Sequence, residues 1–93
     1  MSARSERQEA REAVAAYHSA ALAEFVTHVA KAIDRYREGV LDAFEVDHIL
    51  FQYSRAAKEL WKFCNTTNIE FTASLVQEHP SIDWWKRGAP KKR

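Results

Sequence analysis

Apolar residues recur through the first part of the chain at Leu22, Phe25, Val29, Ala32 and Tyr36, in steps of three and four. Val14, Ala21, Val26 and Ile33 fall on or beside the same stripe, and neither glycine nor proline interrupts the segment from Ser5 to Glu38. This spacing predicts one long amphipathic helix of heptad character. Gly39 follows as its C′ residue, because glycine takes a positive φ without steric cost. Arg35 and Arg37 sit in the last turn, where the helix dipole favours cations. A second stripe, Val46, Leu50, Tyr53, Ala57, Leu60 and Cys64, is widened by Ile49 and Trp61. Its start is marked twice: Asp42 and Glu45 have the spacing of a capping box, and Leu41 and Val46 that of a hydrophobic staple. The link between the helices is so short that they must be antiparallel neighbours.

At 1.5 Å per residue the first helix reaches ~50 Å and the second ~33 Å. The first therefore overhangs, and its early half, with Val14, Tyr17 and His18, needs another cover. In the stretch "NTTNIEFTASLVQEHP", Thr67 and Glu70 have capping-box spacing, and Ile69, Ala73 and Val76 make a short buried face. Pro80 ends that element. Ser81 is placed to cap one further turn containing Trp84 and Trp85, and Gly88, Pro90 and the charges after them read as a loose tail. The expected fold is all-α, a long antiparallel helical hairpin with one or two short C-terminal helices. Residues 1–88 form a single domain and 89–93 a basic tail. Two helices cannot cover the arc from Ile49 through Trp61. Either the C-terminal segment or a second copy must do so, and a homodimeric bundle is the favoured arrangement.

Composition agrees with this pattern. Of 93 residues 46% are apolar, with two glycines and two prolines, so helix breakers are scarce. The length accommodates one small core. No apolar run approaches the ~18 residues of a membrane span, and the opening "MSARSERQEAREAV" lacks a secretory stretch. A single cysteine, Cys64, suits a reducing cytoplasm. Charge is uneven: residues 1–83 carry nine Lys and Arg against 13 Asp and Glu, net −4, whereas 84–93 carry five cations and no acid, net +5. At the N-terminal end Arg4, Arg7 and Arg11 stack in one stripe and Glu6, Glu9 and Glu12 in another. Like charges at this spacing disfavour an isolated helix, and a second chain running the opposite way would relieve them.

Signatures of chemistry are few. Glu45 and His48 have the Glu-x-x-His spacing of di-iron bundles, with Glu24 as an extra carboxylate in a dimer. Glu45 is already explained as a capping residue, however, and both side chains point away from the apolar stripe. Glu24 and His28 read as a solvated pair, and His18 as a half-buried histidine, or else a pH-sensitive partner contact. Cys64 lies on an apolar stripe at a helix C-terminus, where the dipole disfavours a thiolate. There is no glycine-rich phosphate loop, no Cys-x-x-Cys and no nucleophile elbow. Nothing in these patterns asks for a cofactor, and a non-catalytic role is expected.

What the hairpin does not consume is more informative. Phe44, His48, Phe51, Arg55 and Lys62 share one face of the second helix, opposite the main stripe. They read as a second contact surface unless the C-terminal helix folds over them. Adjacent tryptophans diverge by 100° on a helix and cannot share one pocket. One is expected to clamp the C-terminal segment onto the overhanging half of the first helix. The other would lie at the surface with its Nε1–H on a polar partner, beside Lys86 and Arg87.

The segments "YREGVLDAFEVDHILFQYSRAAKELWKFCN" and "IDWWKRGAP", residues 36–65 and 82–90, carry a further signal. They resemble a group of small helical actinobacterial proteins that share a Gly-x-Leu-Asp-Ala-Phe-x-Val-Asp pattern and a Glu-Leu-Trp-Lys-Phe-Cys run. The resemblance implies a bacterial cytoplasmic protein and brings no catalytic residues with it. The expected function is a helical module that binds another protein or a second copy of itself. Its candidate contacts are Phe44, Phe51, Arg55, Trp84, Trp85, Lys86 and Arg87. A nucleic-acid-associated protein using the basic, tryptophan-containing tail is the alternative, with a metal-binding bundle third. No membrane partner is expected.

Overall fold

The computed structural model describes residues 3–65, 68–78 and 82–90. Four helices follow in order: α1 (Ala3–Arg37), α2 (Ala43–Asn65), α3 (Ile69–Glu78) and α4 (Trp84–Arg87). Among the described residues there is no strand. The hairpin of α1 and α2 forms as its local signals dictate. Gly39 closes α1 at φ +80°. The Val40 N–H reaches the Arg35 carbonyl at 2.8 Å and the Gly39 N–H reaches the Tyr36 carbonyl at 3.1 Å, the two bonds of a Schellman motif. At the start of α2 the capping box is complete. The Glu45 N–H donates to Asp42 Oδ1 at 2.8 Å, and the Asp42 N–H donates to Glu45 Oε1 at 3.0 Å. Asp42→Ala should lower the unfolding free energy by about 1 kcal/mol in urea denaturation, through the orphaned N–H groups of the first turn.

The overhang of α1 is covered by α3, with the C-terminal turn joining at Tyr17. Ala10 and Val14 are buried in the same cluster as Ala73, and Arg7 bridges to Glu70 at 3.8 Å. Relief for the stacked charges of the N-terminal arm thus comes in part from α3 within the same chain. The cap of α3 is Asn68, whose Oδ1 accepts from the N–H groups of Glu70 at 2.8 Å and Phe71 at 3.1 Å. The proposed caps Thr67 and Ser81, and the terminator Pro80, lie outside the described residues. Thr72 is buried at no polar cost, because its hydroxyl donates to the Asn68 carbonyl.

Phe25, Ala56 and Leu60 are wholly buried where α1 and α2 cross, joined by Cys64 and Trp84. The buried face of α2 is rotated from the expected stripe. Ala56, not Ala57, is sealed, and Leu50 remains 46% exposed. The cause is that α4 packs over the Gln52–Ala56 flank and leaves the Leu50–Trp61 flank open. Among the described residues no buried side-chain nitrogen or oxygen lacks a hydrogen-bond partner, and no helix is long and apolar enough to cross a membrane.

Candidate functional site

Four residues cannot hold a helical turn alone, since nucleation costs more than one hydrogen bond returns. The turn α4 exists because its two tryptophans and its carbonyls are gripped from below. Asp83 caps it, accepting from the Lys86 N–H at 3.1 Å. Trp84 is buried, donates its Nε1–H to the Tyr17 hydroxyl at 2.6 Å, and packs on Phe63 with ring centroids 5.1 Å apart. Trp85 stacks on His28 at 4.4 Å and 6° and also meets Phe25 at 5.9 Å. The 100° divergence of the two rings is therefore absorbed by α1 itself. One indole goes to Tyr17, and the other goes three turns further on, to His28. Trp84 thus clamps the C-terminal segment onto Tyr17 in the early half of α1, as expected, while Trp85 reaches the middle of the helix at His28. The ring whose Nε1–H finds a partner is the buried one, not the outer one.

The chain after the turn is held just as firmly. Gln52 Nε2 donates to the Trp85 carbonyl at 2.9 Å and Arg55 Nε donates to the Gly88 carbonyl at 2.6 Å. Gly88, expected in a loose tail, is buried against α2. A Cβ there would stand 2.6 Å from the Gln52 carbonyl oxygen. The signal for this was a glycine late in the chain and a small residue, Ala56, on α2 to receive it, a pattern of close backbone approach. Tyr17 and His28 were also missed as anchors. Their sign was the row Tyr17, Ala21, Glu24 and His28 along one face of α1. His28 thus pairs with Trp85, not with Glu24.

Of the seven residues expected to meet a partner, the structure gathers Phe44, Phe51 and Arg55 on one stripe of α2. Phe44 is 79% and Phe51 57% exposed, and α4 does not cover them. Arg55 carries this stripe to the end of α4, where Lys86 and Arg87 are exposed. Arg87 lies 5.0 Å from the centroid of the Trp84 ring. The rings of Trp84 and Trp85 are themselves engaged inside the fold.

Beside the clamp runs an open trench of about 650 Å³ lined by Tyr17, Glu24, Thr27, His28, Lys31 and Asp83, among others. Its charges are of both signs, and its tyrosine hydroxyl already accepts the Trp84 N–H. Glu45 has its carboxylate on the Asp42 N–H, and no group of three or more His, Cys, Asp or Glu placed to hold a metal ion occurs among the described residues. His18 is half-buried. Burial pushes the Cys64 thiol above its ordinary range, so the reactive thiolate is disfavoured near neutrality. No protein-family model, curated protein or solved structure matches the chain.

Proposed function

We propose that the chain is a non-catalytic helical interaction module that binds another protein through the outer face of α2. The observation that carries this reading is the exposure of Phe44 and Phe51, two turns apart on a helix whose first turn is locked by its capping box. Burying an exposed phenylalanine contributes about 1.5–3 kcal/mol. A helix ordered beforehand offers its side chains with little further entropic cost. His48 and Arg55 flank the two rings, with Lys62, paired to Glu59 at 3.8 Å, further along the same face, so the matching surface is apolar with an acidic group opposite Arg55. Lys86 and Arg87 extend the basic end. The nucleic-acid reading needs indole faces beside the basic tail on which bases stack, and the two indoles of that segment, Trp84 and Trp85, are occupied by Tyr17, Phe63, Phe25 and His28. The metal-bundle reading needs a free Glu45 carboxylate, and that group caps α2.

The test is retention of one identified protein, from the organism's own extract, on immobilised chain, followed by titration with that protein once purified. Phe44→Ala and Phe51→Ala are each expected to weaken binding at least tenfold, in the manner of central aromatic contacts. Helix content should stay unchanged, since both rings are exposed. Binding by both variants as tight as that of the unmodified chain would refute the assignment of this face.

A further inference from the structure

The turn α4 covers one flank of the α1–α2 hairpin, and the opposite flank is bare and apolar. It presents Val26 and Ile33 from α1, 56% and 37% exposed, with Leu50 and Trp61 from α2, 46% and 60% exposed. At 100° per residue these four lie together on the side turned away from His28 and Gln52, which hold the clamp.

Two features of this flank say what fits it. The first is its charge. The row through Ile33 and Val26 steps back to Ser19 and Glu12 in heptads and forward one turn to Arg37. It thus has at one end the acid Glu12, which accepts from Gln8 Nε2 at 3.2 Å, and at the other the base Arg37, 3.8 Å from Asp34, both pairs exposed. Between them the small exposed residues Ser19, Ala23 and Ala30 allow close approach. Such a row is complementary to its own antiparallel copy, because in an isologous contact residue i meets j and j meets i.

The second feature is shape. A two-fold axis that sets Glu12 against Arg37 of a second copy passes α1 between Glu24 and Phe25. Phe25 packs edge-on against Tyr53, so the same axis crosses α2 beside Tyr53. Trp61 stands about two turns to one side of that crossing. Val46 stands about two turns to the other, where it joins Tyr36, Ala43 and Leu50 around a notch of about 180 Å³. The operator chosen from the charges alone therefore lays each copy's Trp61 on the other's notch. It also brings Asp47 to within ~3 Å, along the helix axis, of the level of Lys58 from the second copy.

We propose that this flank is a self-association face on which two copies pack antiparallel, α1 on α1 and α2 on α2. The broad side of the molecule measures 57 by 30 Å, and covering about half of it meets the ~800 Å² per partner of a stable complex. The proposal does not rest on the Phe44–Phe51 surface, which lies on the outer edge of α2 and stays open in the pair.

Sedimentation equilibrium of the full chain across the micromolar range tests it. The expected species is a dimer of the 10.8 kDa chain. Trp61→Glu and Val26→Glu should give monomers with unchanged far-ultraviolet circular dichroism, since both positions are exposed in one copy. Glu12→Arg and Arg37→Glu should each weaken the dimer roughly tenfold, and the two together should restore it. Phe44→Ala with Phe51→Ala should leave the dimer intact. A monomer at every concentration, a dimer indifferent to Trp61→Glu, or a double exchange that fails to restore association would overturn the proposal.

Discussion

Trp84→Ala is expected to lower the unfolding free energy by about 3–5 kcal/mol, the range for removing a buried aromatic. A chain of this length has on the order of 5–14 kcal/mol in total, so the loss is a large share. Three contributions vanish together. The indole is one of the largest buried side chains and packs on Phe63. Its N–H bond to Tyr17 disappears. The platform under Arg87 goes as well. With that anchor removed, the segment over the hairpin keeps one aromatic anchor, Trp85, which is half-buried, and the hydrogen bonds from Gln52 and Arg55. Urea denaturation followed by circular dichroism measures the effect, and Trp85→Ala under the same conditions should cost clearly less. Equal costs would contradict the division of labour between the two rings.

The second large effect is expected from a single methyl group. In Gly88→Ala the new Cβ would lie 2.6 Å from the Gln52 carbonyl oxygen and 2.7 Å from both the amide nitrogen and the Cβ of Ala56. The backbone at Gly88 has φ −83° and ψ −5°, which alanine adopts freely, so the penalty is purely steric. Two of the three obstructing atoms belong to the backbone of α2, which its own hydrogen bonds hold in place. The segment must therefore lift away, and the Gln52 and Arg55 bonds to its carbonyls break with it. Overpacking of this kind costs about 1–3 kcal/mol. Trp85 should leave its stack on His28, giving a red shift in tryptophan emission. Combined with Trp84→Ala the loss should be less than additive, because both changes act through the same docked segment. Native-like emission and stability in Gly88→Ala would show that the close approach is not required. Gly39 is the reverse case, with open space around its Cβ position but φ +80°.

These two residues also mark where reading the sequence stopped. The tryptophans were visible as a pair that one pocket could not hold, yet their receivers lie more than fifty residues earlier in the chain. Gly88 looked like a tail residue because nothing beside it in sequence explains a missing side chain. At the start of α3, the capping-box spacing of Thr67 and Glu70 points one residue before the observed cap. Asn68 takes the role because its amide oxygen reaches the second and third N–H groups of the helix. For the candidate contacts, Phe44 and Phe51 were legible as surplus to the apolar stripe, and they are exposed. The surface status of Trp84 was not legible, since an aromatic next to cations looks alike whether its ring faces out or in.

The sequence by itself determined the long helices α1 and α2, the link that ends one and starts the other, and the antiparallel hairpin. Those features rest on hydrogen bonds and apolar steps spanning three to five residues, and each carries its own residue code: the Schellman glycine, the reciprocal Asp42–Glu45 cap and the four-three spacing. Only the tertiary structure decided which flank of the hairpin is covered. Both flanks offer apolar residues to cover, and apolar character alone does not choose Ala56 over Trp61. The choice is made by steric fit at Gly88, by the hydrogen bond from Trp84 to the Tyr17 hydroxyl, and by those from Gln52 and Arg55 to the carbonyls of Trp85 and Gly88. Those contacts join positions more than thirty residues apart, beyond the reach of any local pattern.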